Sequence, residues 1–204
     1  MKRYDQYCPI ACALGLVGER WTLLVVRELT EGPKRYTDLV DGLPGIGTNI
    51  LAARLKDLEA AGLVSRHKLA PPAASVVYEL TDSGHRLRPV LHELARFGAR
   101  HLGPPTDEAL EPGWLLGALD LVVSPLGHEG AIAFRIGDEE ASIVDGKAVA
   151  GLASVVDAVV EADATGFYHL FVDGDPDGVR IDGDRDAVLR LVRAFSPEAE
   201  PLPA

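Results

Sequence analysis

The stretch Gly45–Arg66, GIGTNILAARLKDLEAAGLVSR, constrains this chain more than any other. It begins on a glycine-rich turn. Ile50, Leu51, Leu55 and Leu58 then recur at the spacing of one helical face. Gly62 ends the helix, because glycine takes the left-handed conformation past a helix terminus without a Cβ clash. An alternating segment, Leu63–Leu69, follows at once, and a second, Ser75–Leu80, lies across the loop 70–74. The pair reads as a hairpin. A helix that runs straight into a hairpin is the one supersecondary unit that the rest of the first half must pack around.

The segments before it supply the rest of that unit. Pro9–Val17 reads as a short helix with proline in its first turn and Gly18 as its stop. Trp21–Thr30 is a second helix, with apolar Leu23 and Leu24 and charged Arg27 and Glu28 on alternating faces, ended by Gly32-Pro33. Thr37 is placed to cap a third helix, Asp38–Gly42, and Thr48 or Asn49 to cap the fourth, which runs to Ala61. After the hairpin, Thr81–Gly84 opens a fifth helix reaching about Leu102, with Leu87, Val90, Leu91, Leu94 and Phe97 as its apolar face.

A chain of 204 residues is long enough for two small domains. Its net charge of −11 is unevenly spread. Through Leu102 there are 14 Lys and Arg against 11 Asp and Glu, and from Gly103 onward 6 against 20. Only the first half is electrostatically suited to a polyanion. Apolar runs fall far short of the ~20 residues of a membrane span. The start has a basic end and an apolar stretch, but Asp5, Pro9 and the glycines disagree with an export signal, so a cytoplasmic protein with reduced Cys8 and Cys12 is expected.

The first half resembles the HxlR family, which is related to the MarR regulators. The resemblance rests on Cys8-Pro9, Gly18-Glu19-Arg20-Trp21-Thr22, Leu29 with Gly32-Pro33, and Arg35-Tyr36-Thr37-Asp38-Leu39. It continues through Leu43-Pro44-Gly45-Ile46, Leu51, Arg54-Leu55, Leu58-Glu59, Gly62-Leu63-Val64, Arg66, Val77-Tyr78 and Leu80-Thr81. It implies a winged helix-turn-helix in a homodimer that binds a double-stranded DNA operator of two half-sites, dimerising mainly through the first and fifth helices.

The expected DNA contacts are Arg35, Tyr36 and Thr37 at the third helix, and Gly47, Thr48, Asn49, Ala52, Ala53, Arg54 and Lys56 on the fourth. Arg66, His67 and Lys68 join them on the wing. Long polar side chains are scarce at the start of the reading helix, which shifts readout toward methyl contacts and DNA shape. Some family members sense oxidants or electrophiles through an N-terminal cysteine, which nominates Cys8; helix N-termini favour thiolates. The other reading of Cys8 and Cys12 is that both are small core residues.

Residues 103–111 read as a linker, and 112–204 as a second domain. Trp114–Val123 and Arg185–Phe195 are helices, Thr165–Val172 a short one. Ala131–Ile136, Ala141–Val144 and Val179–Asp182 are strands, while the Ala-Val runs at Lys147–Ala150 and Ser154–Ala162 fit two more strands, or a strand and a helix. Trp114-Leu115-Leu116, Ala118-Leu119, Phe134-Arg135-Ile136, Asp145-Gly146 and Val179–Asp184 resemble the sterol-carrier-protein-like fold. The fold class expected for the whole is therefore α+β, a winged helix-turn-helix followed by an α/β sterol-carrier-like domain. That resemblance implies a cavity for a small apolar ligand, with Trp114, Leu115, Leu119, Phe134, Phe167 and Phe171 as its lining or, equally, as plain core.

Asp173-Gly174-Asp175-Pro176-Asp177-Gly178 matches half of a calcium loop, but Pro176, Arg180 and the short Asp184 disagree with it, and an acidic turn is the better reading. The six histidines are scattered, and no nucleophile elbow, P-loop or dinucleotide fingerprint is present. The expectation is a regulator, not an enzyme and without cofactor or metal, that represses transcription and whose second half binds a small apolar ligand or mediates assembly. The rivals are thiol sensing through Cys8 and an apolar-metabolite carrier whose winged helix serves only dimerisation.

Overall fold

The structure is a computed structural model that describes residues 4–70, 72, 74–106, 110, 112–123 and 129–195. Its packing divides the chain into two units, residues 1–91 and 92–204.

The first unit holds α1 (Pro9–Val17), α2 (Thr22–Thr30), α3 (Tyr36–Asp41), α4 (Thr48–Ala60), the strands β1 (Val64–Lys68) and β2 (Val76–Leu80), α5 (Asp82–His85) and the start of α6 (Arg88–Leu102). Leu51, Leu55 and Leu58 of α4 are buried with Val25, Val26 and Leu29 of α2, Leu39 of α3, and Leu63, Val64 and Leu80 of the hairpin. The two strands pair antiparallel from Val64 opposite Leu80 to Lys68 opposite Val76. Lys34 adds a third rung: its N–H donates to the Tyr78 carbonyl at 3.0 Å and its carbonyl accepts from the Tyr78 N–H at 2.8 Å. That bridge ties the α2–α3 connection to the wing.

Gly62 is left-handed (φ +69°), and past α4 the Leu63 N–H donates to the Leu58 carbonyl at 3.0 Å. This is the expected helix stop.

Four local readings change. The α3 helix begins at Tyr36, two residues earlier than expected, because the Asp38 carboxylate accepts from the Arg35 N–H at 2.8 Å. Gly47, without a side-chain bond, holds the cap position of α4, so neither Thr48 nor Asn49 caps it. The expected fifth helix is two helices, α5 and α6. Pro89 lies in the first turn of α6 and has no N–H to offer the carbonyl of His85, so the ladder breaks there. Ile50, expected inward, is 45% exposed, because the buried seam of α4 runs through Leu51, Leu55 and Leu58 instead.

The second unit has one five-stranded sheet in the order β5-β4-β3-β6-β7. The strands are β3 (Ala131–Ile136), β4 (Glu139–Val144), β5 (Lys147–Ala150), β6 (Ala158–Ala162) and β7 (Arg180–Gly183). Only β3 and β6 pair parallel; the other neighbours are antiparallel. Both Ala-Val runs therefore contribute strands. The helices are α7 (Trp114–Val123), α8 (Ala164–Tyr168) with one π-helical turn (His169–Asp173), and α9 (Arg185–Phe195). One face of β3 and β4, carrying Ile132, Phe134, Ile136, Ala141 and Ile143, packs with Leu115 and Leu119 of α7 and Val188, Leu191 and Val192 of α9.

The packing break at Leu91 precedes the Gly103 linker expected from sequence. The later part of α6 is held within the second unit: Arg96 Nε donates to the Phe195 carbonyl at 2.7 Å, and the Tyr168 hydroxyl to the Ala99 carbonyl at 3.2 Å. Among the described residues no single helix is long and apolar enough to cross a membrane. Asp175 and Asp184 serve local turns, accepting from the N–H of Asp177 and of Ala187, each at 2.9 Å.

Candidate nucleic-acid interface

The α4 helix buries one seam and presents the rest. Gly47, Thr48, Asn49, Ala52 and Lys56 are exposed and Ala53 is half-buried. Successive residues turn by about 100°, so Asn49, Ala53 and Lys56 point opposite to Leu51, Leu55 and Leu58. The α3 helix crosses at the start of α4. Tyr36 packs half-buried against the core, and its hydroxyl donates to the Thr48 carbonyl at 2.7 Å. Tyr36 thus fixes α4 from within the unit, while Arg35 and Thr37 beside it stay exposed.

The wing carries its cations outward. Val64 is the buried residue of β1, and Ser65, Arg66, His67 and Lys68 are exposed. The Arg66 guanidinium lies over the Tyr78 ring, 5.9 Å from its centroid, and His67 Nε2 is 3.7 Å from Glu79 Oε2. The cross-strand partners orient both side chains without burying them.

Arg54 stands apart from the other expected contacts. Its side chain is 17% exposed and its guanidinium is 3.4 Å from Glu19 and 3.1 Å from Asp57. It lines a recess of about 260 Å³ with Gly15, Leu16, Glu19, Thr22, Asp57, Ala60 and Ala61. At roughly 60° from Leu51 on the helix, by its 3.6-residue turn, it lies beside the buried seam and is drawn toward α1. The structure therefore places Arg54 away from the exposed face on which sequence reading had put it.

Sequence reading missed the acid beneath this unit. Glu28 lies on the charged face expected of α2, yet its side chain is only 9% exposed. It accepts from Arg27 at 2.6 Å and from Lys34 at 2.9 Å, and Lys34 also bonds Glu31 at 2.7 Å. Burial pulls the Lys34 pKa down, but its bonds to Glu31 and Glu28 outweigh that and raise it above 10.5. The adjacent Arg27 and the glycine at 42 are the only sequence marks of the pair: a Cβ on Gly42 would lie 2.4 Å from Glu28 Oε2.

Cys8 is half-buried at the cap of α1, and its carbonyl accepts from the N–H of exposed Cys12 at 2.9 Å. The six candidates for a ligand lining sit together in the second unit. Leu115, Leu119, Phe134, Phe167 and Phe171 are buried and Trp114 half-buried. The Phe167 and Phe171 rings are 4.8 Å apart, Trp114 meets Phe167 edge-on at 5.7 Å, and Phe134 meets Phe167 at 6.2 Å. These side chains pack against one another as core.

The sequence pattern of the HxlR-like helix-turn-helix family matches residues 16–106, from the end of α1 through all of α6, and not the sheet of the second unit. The HTH-type transcriptional regulator sll1512 of Synechocystis sp. is 37% identical over 92 residues, 45% of this chain and 68% of that protein. The HTH-type transcriptional regulator YodB of Bacillus subtilis is 35% identical over 107 residues, 52% of this chain and 88% of that one. The solved structure of reduced YodB aligns with a TM-score of 0.42 at 33% identity, covering 50% of this chain and all of the other. With the helices, hairpin and matched residues in agreement, this chain belongs to the HxlR-like helix-turn-helix family.

Proposed function

We propose that the chain is a homodimeric, DNA-binding transcriptional repressor acting in the cytoplasm. The observation that carries this is the presentation of α4. Its core seam is closed, its opposite face is open, and the basic wing stands beside it, on a chain of the HxlR-like family. The α4 helix would enter the major groove, with Arg66, His67 and Lys68 on flanking phosphate or minor groove and Arg35 and Thr37 on backbone phosphate.

Dimerisation is supported by apolar surface that a lone chain leaves in water. Tyr4, Tyr7, Ile10 and Leu14 are exposed at and before α1, and Val90, Leu94 and Phe97 on α6, Phe97 at 68%. Two copies would set two α4 helices on two half-sites, which lets modest contacts per copy give usable affinity. Binding of promoter duplex measured against salt tests the reading. A steep decline with salt supports it, and no binding at low salt defeats it in favour of a carrier that keeps a winged helix for dimerisation.

The second unit is the sensing part of this proposal. Its aromatic core around Phe167 and Phe171 would have to part for an apolar ligand, so ligand binding would couple to a change in packing there. A second reading has its own observation: Cys8 caps α1 with Cys12 exposed one turn on. If Cys8→Ser leaves the response to diamide and quinones intact, thiol sensing is excluded.

A further inference from the structure

We infer that α4 reads A·T pairs, through the Asn49 amide on adenine and the methyl groups of Thr48, Ala52 and Ala53 on thymine. This rests on the DNA-binding reading above and names the sequence class that reading leaves open.

Guanine presents two acceptors, O6 and N7, in the major groove, and is read by a long cationic side chain that donates to both. The only guanidinium on α4 belongs to Arg54. It is paired with Glu19 and Asp57 and directed toward α1. Lys56 is exposed, but it sits on the third turn, beyond the N-terminal residues that meet base edges, and is better placed for phosphate. What remains at the open start of the helix is Thr48, Asn49, Ala52, Ala53 and the apolar Ile50, none of them a guanidinium or an ammonium. An amide both accepts and donates, which matches adenine N6–H and N7, and the small methyls match the C5-methyl of thymine. Short side chains also let the helix backbone approach the bases closely. The wing favours the same composition. A-tracts narrow the minor groove and strengthen its negative potential, which suits exposed Arg66 and Lys68.

The test begins with duplexes enriched from a random library on the full chain. Affinity is then measured for the enriched duplex carrying thymine, carrying uracil in its place, and carrying 7-deazaadenine in place of adenine. Uracil removes only the methyl group, and 7-deazaadenine only the N7 acceptor. Uracil should weaken wild-type binding about fourfold for each contacted methyl, the value of one buried carbon. Deazaadenine should weaken it by about two- to tenfold, as loss of half a bidentate pair implies. In Asn49→Ala the deazaadenine penalty should vanish while the uracil penalty stays. In Ala53→Ser, which melts like the parent if folded alike, the uracil penalty should shrink. Equal affinity for thymine and uracil duplexes, or enrichment of G·C pairs in the half-sites, overturns the inference and leaves the regulator reading standing. If no duplex is enriched and no salt-dependent binding is seen, the regulator reading falls, and the inference with it.

Discussion

The Tyr36 hydroxyl donates a 2.7 Å hydrogen bond to the Thr48 carbonyl, joining the first turn of α3 to the first turn of α4. Sequence reading placed Tyr36 on DNA phosphate. In the structure its hydroxyl is spent on the backbone of α4. Tyr36→Phe removes only that bond and should lower stability by about 1 kcal/mol. DNA affinity should fall severalfold with it, because α4 is less well held. Thermal melting and binding isotherms of the same variant check this. Weaker DNA binding with an unchanged melting temperature would return the hydroxyl to a phosphate contact.

Gly62 and Gly84 are both structural glycines, for different reasons. At Gly62 a Cβ would meet nothing within 4 Å, so Gly62→Ala suffers only from the left-handed backbone, about 1–2 kcal/mol. At Gly84 a Cβ would sit 2.1 Å from the Leu63 carbonyl oxygen. Thr81 also binds that turn, accepting from the Gly84 N–H at 3.1 Å and donating to the Gly62 carbonyl at 2.7 Å. Gly84→Ala must therefore move α5 off the hairpin and should cost more than Gly62→Ala. Urea denaturation of the two variants ranks them.

The cations of the interface should separate by salt dependence. Lys56, Arg66 and Lys68 are exposed, and replacing any one that meets phosphate should reduce the slope of log affinity against log salt by about 0.9. Arg54→Met should leave that slope unchanged. It should reduce stability modestly, because Arg54 pairs with Glu19 and Asp57, both about half-exposed. A drop of about one in the slope for Arg54→Met would place Arg54 on the DNA after all.

What the sequence revealed follows from how local the signal was. The α4 helix and its stop were legible because Leu51, Leu55 and Leu58 mark a period and Gly62 marks an end. The hairpin was legible because two strand-like segments, Leu63–Leu69 and Ser75–Leu80, flank a loop at 70–74 that is broken by two prolines. Ile50 was misread because spacing alone admits it to the seam, and only the partners of α4 show that the seam runs past it. The fate of Arg54 depends on Glu19, 35 positions earlier, which no period records. The break between α5 and α6 was hidden because proline is as natural in a first turn as it is disruptive within a helix. In the second unit, Phe134, Phe167 and Phe171 were found as a group, but residue type cannot distinguish the wall of a cavity from a core closed on itself.

Glu28 and Lys34 give the first unit a dependence on alkaline pH. Lys34 Nζ lies 2.9 Å from Glu28 Oε2 and 2.7 Å from Glu31 Oε2, and Glu28 is held at 9% exposure against Gly42. Lys34→Met leaves the buried Glu28 with Arg27 alone, and should destabilise by about 1–3 kcal/mol at pH 7. The folded-state pKa of Lys34 is raised above 10.5. Its stabilisation is therefore fully present below the unfolded-state pKa and is lost as pH rises through the folded one. The gap between wild type and Lys34→Met should be level from pH 7 to about 9, and should close only above 10.5. Denaturant melts of both proteins across that range measure the gap directly. A gap that closes by pH 8 would mean that the ammonium is not what stabilises Glu28.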